Sequence, residues 1–404
     1  MKTFRTRWVW ALWTGGVLFS IGCAPTAITH KPAAAPAVKV QTPEKKVVVG
    51  ATVIGIAPDA CTGKGTYTAR ELADVGTAAF NARDWPKAAA CYGLFVESYV
   101  KHKDYGVAVY NLGLVQMQLK EYVKAQKNFQ KLLKDFPGHK HTADARLFLG
   151  KSFLEQGHHK MAMQIFRNIA YTPDIDWYDK VESFTQMGRS ELKQKNLNLA
   201  EEYLWQAYHA YRRGDREEGY ADPYGLAQIH FNRTLIKEIM MQDAVIESPK
   251  DESDAEKDRV FESLERKAKW LLDAQKGYLQ VIRTGHAYWA TAAGYKIGAL
   301  YESLYDEILK VPSPPDISEE DKAIYREELL KKVSVLLRKS LTAFRKVCQV
   351  ARRIQVENEW VEKSQASMER LLEVLTQSGQ LHAPAKKKKD EPAKKLDASQ
   401  PPAS

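Results

Sequence analysis

Four glycines recur at a nearly fixed spacing in the first half of the chain. Gly76, Gly113, Gly150 and Gly188 lie 37, 37 and 38 residues apart. An alanine follows each glycine by twelve residues, and a large apolar side chain follows each alanine by four. A unit of this length is too short for a domain and is typical of supersecondary units that bury their apolar faces by stacking. The spacing therefore predicts a row of stacked units.

The glycine and the alanine of each unit explain the spacing if the unit is a pair of antiparallel helices. Apolar residues recur at helical intervals from Tyr67 to about residue 377. The glycine and the alanine would let the two helices approach closely, and the large side chains would fill the space between one pair and the next. The residues predicted to pack in this way are Gly76, Ala88, Tyr92, Gly113, Ala125, Phe129, Gly150, Ala162, Phe166, Gly188, Ala200 and Leu204.

The segment "YNLGLVQMQLKEYVKAQKNFQKLLKDFP" is the clearest copy of the pattern. Its Leu112, Gly113, Ala125, Phe129 and Pro137 stand at the spacing of the tetratricopeptide repeat, which this region closely resembles. The resemblance implies an all-α fold, namely an α-solenoid of tetratricopeptide-type helix pairs with a helical C-terminal cap. A generic amphipathic bundle is the alternative, and four copies in one register disfavour it.

The register continues with lower fidelity in the second half of the chain. Asn232 aligns with Asn111, and the acidic insertion "ESPKDESDAEKD" is predicted to be a solvated loop. Long helices over about 319–353 and 357–377, the first capped by Ser318, would hide the last apolar face of the solenoid.

The first 23 residues have the layout of a secretory signal. Basic residues precede an apolar stretch from Trp8 to Gly22, which would form a helix of about 22 Å, shorter than the roughly 30 Å hydrocarbon core of a bilayer. The ending Ser20-Ile21-Gly22-Cys23 resembles the bacterial lipobox, in which signal peptidase II cuts before a lipidated cysteine, although that family prefers leucine at the position of Ser20. The resemblance implies a lipid on Cys23. An uncleaved membrane anchor is the alternative.

These features divide the chain into six expected parts. Prolines and alanines after Cys23 indicate a semi-rigid spacer, and the lysine-rich C terminus indicates a disordered tail. The expected parts are a lipoprotein signal peptide (1–22), the lipidated N terminus and spacer (23–65), four repeats (66–213), degenerate repeats with the acidic insertion (214–310), long C-terminal helices (311–380) and the tail (381–404).

The charge distribution argues against a nucleic-acid partner. The chain has a formal net charge of +10. Residues 1–23, 24–65 and 386–404 contribute +3 each, which leaves +1 for residues 66–385. The expected folded body therefore lacks the excess of cations that would neutralise a phosphate backbone.

No catalytic or metal-binding constellation stands out. The sequence lacks H-E-x-x-H and G-x-S-x-G motifs, and its "GKGT" stretch fails the Walker A pattern. His139 and His141 should lie before a predicted helix, and His158 and His159 should lie after it. The helix separates the two pairs by about 22 Å, so the four histidines cannot bind one ion. We predict no enzymatic activity, no cofactor, no metal and no small-molecule substrate.

The cysteines outside the lipobox are Cys61, Cys91 and Cys348. None forms a C-x-x-C pair, and their odd number leaves at least one thiol unpaired. We expect free thiols. If a pair forms, Cys61 with Cys91 is the favoured one, because both lie near the start of the folded region.

The resemblance to tetratricopeptide repeats implies a concave groove for an extended segment or a helix of another protein. In that family the first helix of each unit lines the groove at positions −3, +1 and +4 relative to the glycine. Carried onto this chain, together with Asn111 as a partial carboxylate-clamp residue, the groove residues are Tyr110, Asn111, Leu114, Met117, Leu147, Lys151, Leu154, Thr185, Arg189 and Leu192. Lys151 and Arg189 would be its cationic points.

The combined resemblances imply a non-enzymatic scaffold that is anchored to the outer membrane by its lipid, with its body in the periplasm and other envelope proteins as partners. In well-studied lipoproteins, an aspartate directly after the lipidated cysteine signals retention in the inner membrane. Ala24 occupies that position here, which implies delivery to the outer membrane. The segment "PSPPDISEEDKAIYREELLKKVSVLLRKSLTAF" is similar to tetratricopeptide lipoproteins of gliding-motility complexes, and the body more distantly resembles those of barrel assembly. An adaptor that positions peptidoglycan hydrolases or synthases is the alternative.

Overall fold

A computed structural model of the chain describes Cys61 and residues 67–251, 253–313 and 317–377. Within these ranges the regular secondary structure consists of α-helices only. The helices are α1 (Ala69–Asn81), α2 (Trp85–Ser98), α3 (Tyr105–Gln118), α4 (Tyr122–Asp135), α5 (Thr142–Glu155), α6 (His159–Ala170), α7 (Trp177–Lys193), α8 (Leu197–Glu218), α9 (Pro223–Asp243), α10 (Asp254–Arg283), α11 (Ala287–Lys310), α12 (Glu319–Ile354) and α13 (Glu359–Gln377).

The predicted signal peptide, Cys23, the spacer apart from Cys61, and the C-terminal tail lie outside the described residues. Among the helices that the structure describes, none combines the length and the apolar composition that crossing a bilayer requires.

The helices pack in the order of the chain and form two layers. Each helix contacts the next one along the sequence. From α3 onward, each odd-numbered helix (an A helix) also contacts the next A helix, whereas consecutive even-numbered helices (B helices) make no comparable contact. Because neighbours are nearer on the inside of a curved stack, the A helices form the inner layer and the B helices the outer one. The predicted all-α solenoid with a helical C-terminal cap is confirmed.

The repeated glycine is where the two helices of a unit touch. A Cβ atom built on Gly113 would lie 2.6 Å from the ring of Phe129, and one on Gly150 would lie 2.6 Å from the ring of Phe166. On Gly188 it would lie 2.6 Å from Leu204. The large B-helix residue thus covers the glycine of its own unit, in addition to reaching the next unit as predicted. The Phe129 ring also stacks on Phe148 of the following unit at 5.9 Å.

The alanines of the repeat are buried without exception. Each of the four alanines is 0% exposed, and so are Phe129, Phe166 and Leu204. Burial of a large apolar side chain contributes roughly 1.5–3 kcal/mol relative to exposure. The repeat pattern therefore identifies the residues that hold each helix pair together, namely Ala88, Ala125, Ala162 and Ala200 with their large neighbours.

The degenerate unit formed by α9 and α10 keeps the close contact but reverses it. Thr234 stands two residues after Asn232, where the glycine of an intact unit would lie. Gly277 of α10 lies directly opposite Thr234, so close that a Cβ atom on Gly277 would overlap the threonine side chain. The small residue has moved from the A helix to the B helix, and the two helices still approach closely.

The acidic insertion is only partly a loop. Ser253 caps α10 by accepting a hydrogen bond from the backbone amide of Glu256, so the helix begins at Asp254. The expectation that the whole insertion is a solvated loop is wrong for its last five residues, since acidic side chains stabilise a helix N terminus. Ser318 caps α12 as predicted and accepts from the amide of Asp321.

Cys61 and Cys91 form a disulfide, with Cα atoms 5.0 Å apart. The expectation of free thiols is therefore wrong for these two residues and holds for Cys348, which is buried. Cys91 is 0% exposed in α2, and Cys61 packs beside it in the cluster that contains Leu72 and Phe95. The bond joins the segment before α1 to the first helix pair.

The glycine contact leads to a matched pair of substitutions. Gly113→Ala should destabilise the protein by about 2 kcal/mol, because the added methyl group overlaps the buried ring of Phe129. Gly93→Ala in α2 meets nothing within 4 Å and should stabilise it by about 0.5–1 kcal/mol through helix propensity. Denaturant unfolding of both variants measures the difference, and equal effects would contradict the packing account.

Candidate protein-binding face

Six of the ten predicted groove residues are not accessible on the inner layer. The buried ones are Tyr110 (3% exposed), Asn111 (2%), Leu147 (2%), Leu154 (0%), Thr185 (1%) and Leu192 (9%). Tyr110 is covered because its ring stacks on His141 at 4.4 Å, and Leu147 and Leu154 belong to the apolar cluster that α5 shares with α6 and α7. These six residues cannot contact a partner in this structure, because they are buried within the solenoid.

The other four predicted groove residues, Leu114, Met117, Lys151 and Arg189, are half-buried and reach the inner face. Leu114 and Met117 lie on α3, next to the apolar cluster formed with α4 and α5. Their role in binding a partner stays a prediction.

The residues that accompany them follow from helix geometry. Side chains three, four or seven residues apart share a helical face, so the +1 position has −3 and +4 on one side of it and −6, −2 and +5 on the other. In α7 the −6, −2, +1 and +5 positions are Glu182, Gln186, Arg189 and Lys193, and in α5 the +5 position is Glu155. Sequence reasoning missed these acidic and amide residues. Extending the stripe from the +1 residue by helical steps would have found them.

The stripe residues of α5 and α7 form one ion network, defined here as Lys151, Glu155, Glu182, Gln186, Arg189 and Lys193. Lys151 Nζ lies 2.6 Å from Glu182 Oε1. Lys193 Nζ donates to Glu155 Oε2 at 2.8 Å, and Arg189 Nη2 donates to Glu155 Oε1 at 3.3 Å. Both predicted cationic points are thus already paired within the chain.

Gln186 connects the two halves of the ion network. Its amide nitrogen donates to Glu182 Oε1 at 2.9 Å, and its oxygen accepts from Arg189 Nη1 at 2.7 Å. The network therefore runs without interruption along α7 and across to α5, and it fixes how these two A helices sit against each other.

Burial and pairing act in opposite directions on the acids of the network. Burial alone raises the pKa of Glu182, but the ammonium group of Lys151 outweighs it and holds that pKa below its usual value. For Glu155, burial again raises the pKa, and Lys193 together with Arg189 lowers it overall. Both carboxylates are therefore charged at neutral pH, and each is paired with at least one of the three cations of the network.

The inner face becomes aromatic beyond the ion network. Tyr224 at the start of α9 has its pKa raised by burial and by the charge of Glu182, while Arg189 lowers it, so this ring is close to the network. Tyr224 contacts Trp289 of α11, with ring centroids 5.8 Å apart. Tyr288 donates to Glu359 Oε1 at 2.7 Å and ties α11 to α13. The face thus combines paired charges with half-buried aromatic rings, which suits recognition of a polypeptide.

The four histidines occupy the positions that the sequence indicated, at the two ends of α5. His139 and His141 are adjacent, with ring centroids 5.4 Å apart. His159 Nδ1 lies 3.0 Å from Ser190 Oγ at the other end. In the part of the chain that the structure describes, no group of three or more His, Cys, Asp or Glu side chains is arranged to hold a metal ion.

Residues 107–139 match the profile of the family described as Tetratricopeptide repeat. The match covers the second unit, whose sequence follows the repeat most closely. The chain therefore contains a tetratricopeptide repeat within its larger solenoid. No curated protein matches the sequence.

Solved structures of repeat proteins are similar to this chain at low identity. A tetratricopeptide repeat protein from Parabacteroides merdae is 11% identical with a TM-score of 0.34, covering 75% of this chain and 98% of its own. The C-terminal part of a TPR repeat-containing protein from Cytophaga hutchinsonii is 12% identical with a TM-score of 0.37, covering 76% and 98%. The Rap conjugation gene regulator of plasmid pLS20, in complex with the Phr* peptide, is 12% identical with a TM-score of 0.39, covering 76% and 75%.

The buried ion pair between α5 and α7 gives a prediction about stability. Lys151→Met should destabilise the protein by about 3 kcal/mol, because it leaves the nearly buried carboxylate of Glu182 unpaired. Lys124→Met, which breaks an exposed pair with Glu121, should cost less than about 1 kcal/mol. Denaturant unfolding compares the two variants.

The pH dependence of Lys151→Met separates loss of pairing from loss of packing. In the native protein the lowered pKa of Glu182 contributes stability above the unfolded value of 4.5, which is lost as the pH falls through the folded pKa. Without Lys151, burial raises that pKa, so acid should reduce the deficit of the variant relative to the native protein. A deficit that is constant with pH would contradict the pairing account.

Proposed function

We propose that this protein is a non-enzymatic scaffold that is anchored to the outer membrane by a lipid on Cys23 and binds envelope proteins along its inner face. The observation that carries the proposal is the continuous layer of A helices, which presents Leu114 and Met117 together with an ion network whose charges are paired. A surface of apolar side chains with paired charges can bury an extended segment or a helix without leaving a charge unpaired.

The Cys61–Cys91 disulfide supports the periplasmic part of the proposal. Disulfides persist in oxidising compartments and are rare in the cytosol of most organisms. The bond lies at the first helix pair, next to the spacer that would connect the body to Cys23. It would hold the membrane-proximal end of the solenoid against pulling or unfolding.

The proposed complex serves gliding motility, on the likeness of the segment that includes α12, or envelope assembly, on the more distant likeness of the repeat body. The partner set distinguishes this function from an adaptor for the cell wall. Affinity purification from gently solubilised envelopes should recover motility or barrel-assembly proteins, whereas recovery of peptidoglycan hydrolases or synthases alone would support the adaptor and contradict the scaffold.

Variants on the two layers of the second unit test the binding face. Met117→Glu places a charge on the inner face and should reduce partner recovery at least about tenfold, since an anchor residue of an interface contributes more than 1–2 kcal/mol. Val123→Glu in α4, at a side chain that is 56% exposed, is the matched control and should leave recovery unchanged. Equal loss in both variants would argue against the inner face.

The lipid anchor is tested on the full-length chain in its host. Cys23→Ala should abolish incorporation of a clickable fatty acid and release the body from membranes, because it removes the thiol that accepts the lipid. Cys348→Ala, which removes another thiol, should retain the label. Labelling of Cys23→Ala would refute the proposed anchor, and native protein that sediments with the inner membrane would refute delivery to the outer membrane.

A further inference from the structure

An apolar cleft in the described part of the chain lies on the outer layer, away from the inner face. Helices α10 and α12 both pack on α11 but make no comparable contact with each other. Between them is a cavity of about 910 Å³. We call this cleft the outer groove, with Leu272 and Leu279 on one wall, Ile297 on the floor, and Leu336 and Val350 on the other wall.

Large apolar side chains remain exposed on both walls of the outer groove. On α10, Leu279 is 40% and Ile282 is 36% exposed. On α12, Val350 is 41% and Ile354 is 42% exposed. Contiguous exposed apolar surface of this kind marks an interaction site more often than isolated apolar residues do. Binding of a partner in the groove would therefore remove this apolar surface from water.

The walls of the outer groove are held apart by the packing beneath them. Gly294 and Gly298 of α11 lie directly under Val347 and Phe344, which fixes α12 close to α11. On the other side, the Tyr301 hydroxyl donates to Gln275 Oε1 of α10 at 2.7 Å. Since both walls are fixed to the same floor helix, the groove is present before any ligand binds, which lowers the entropic cost of docking.

The charges around the outer groove have one sign. Its charged lining residues are Lys257, Arg338, Lys339 and Lys346, and no aspartate or glutamate lines it within the described residues. Arg338, Thr342 and Lys346 follow each other at intervals of four along α12, so they form a row about 12 Å long at 1.5 Å per residue. Arg338 and Lys346 place cations at the two ends of this row, with Thr342 between them, which complements acids spaced along the edge of an apolar stripe.

We propose that the outer groove docks an acidic amphipathic helix of a partner protein. The floor residues run from Ala287 to Val311, the length of α11, which corresponds to a docked helix of about 24 residues. The apolar face of the helix lies between Leu279 and Val350, and its glutamates or aspartates at intervals of four pair with the cations of α12. A single anionic headgroup would use one end of this row, whereas a helix uses all of it.

The test uses two synthetic peptides and the full-length protein. One is a 24-residue helix with leucines along one face and glutamates flanking it, and the other has lysine at each glutamate position. Fluorescence anisotropy should show binding of the glutamate peptide that is at least about tenfold tighter, because several charge pairs change sign. Equal affinity for both peptides, or no binding of the glutamate peptide, would overturn the proposal.

Variants locate the binding within the outer groove. Leu279→Glu should weaken the affinity for the glutamate peptide by more than about tenfold, and Lys346→Glu should weaken it by about three- to fivefold. Arg345→Glu is the matched control, because Arg345 is an exposed neighbour on α12 that does not line the groove. Equal effects of the substitutions at residues 345 and 346 would contradict docking in the groove, and thermal unfolding checks that each variant is folded.

Two other occupants are distinguishable in the same experiment. One is an anionic lipid. If a fluorescent fatty acid binds, Leu279→Glu weakens that binding and neither peptide binds, the groove is a lipid site and the proposal of a docked helix is wrong. A dimer in light scattering that Leu279→Glu dissociates, again with no peptide binding, would assign it to a second copy of the chain and equally overturn the proposal.

Discussion

The contact between the glycine of an A helix and the large side chain of its B helix is the interaction on which the rest of the solenoid depends. A hydrogen atom in place of a side chain lets the two backbones approach, and the Phe129 or Phe166 ring fills the space above the glycine. The contact is made within each unit, and the ring also reaches the following unit. One packing arrangement therefore both closes a helix pair and joins it to its neighbour, and the same geometry repeats along the chain.

Buried ion pairs add specificity to this apolar framework. Lys151 with Glu182 joins α5 to α7, Lys296 with Glu238 joins α9 to α11, and Lys267, which is 0% exposed, pairs with Glu307 between α10 and α11. Each of these pairs lies between helices of different units. A buried pair contributes little net stability compared with apolar residues of the same volume, but a misaligned register would leave a charge unpaired. We infer that these pairs fix which surfaces of neighbouring units meet.

The two layers offer different surfaces to other molecules. The inner layer presents paired charges, aromatic rings and the apolar side chains of α3, whereas the outer layer presents the apolar cleft between α10 and α12. The reversed contact between Thr234 and Gly277 lies at the transition between these regions. A scaffold with one partner along its inner face and a second helix in its outer groove could connect two components of an envelope complex.

The sequence by itself determined the fold class and its packing contacts. Gly113, Ala125 and Phe129 were predictable because the contact between two helices within a unit is local, and helix geometry converts residue spacing directly into a shared face. Ser318 as a cap was predictable for the same reason, since a cap involves only the next three residues.

Only the tertiary structure decided which surfaces remain open to a partner. Tyr110 and Leu147 have the spacing of groove residues, but side chains of the following unit cover them, and the curvature of the stack sets how far that cover extends. The pairing of Lys151 with Glu182 and the disulfide between Cys61 and Cys91 likewise depend on where residues 30 or more positions apart meet in space. The outer groove follows from the placement of α10 and α12 on α11 without comparable contact between them. These features depend on how whole helices are placed relative to one another, which residue spacing within one helix does not encode.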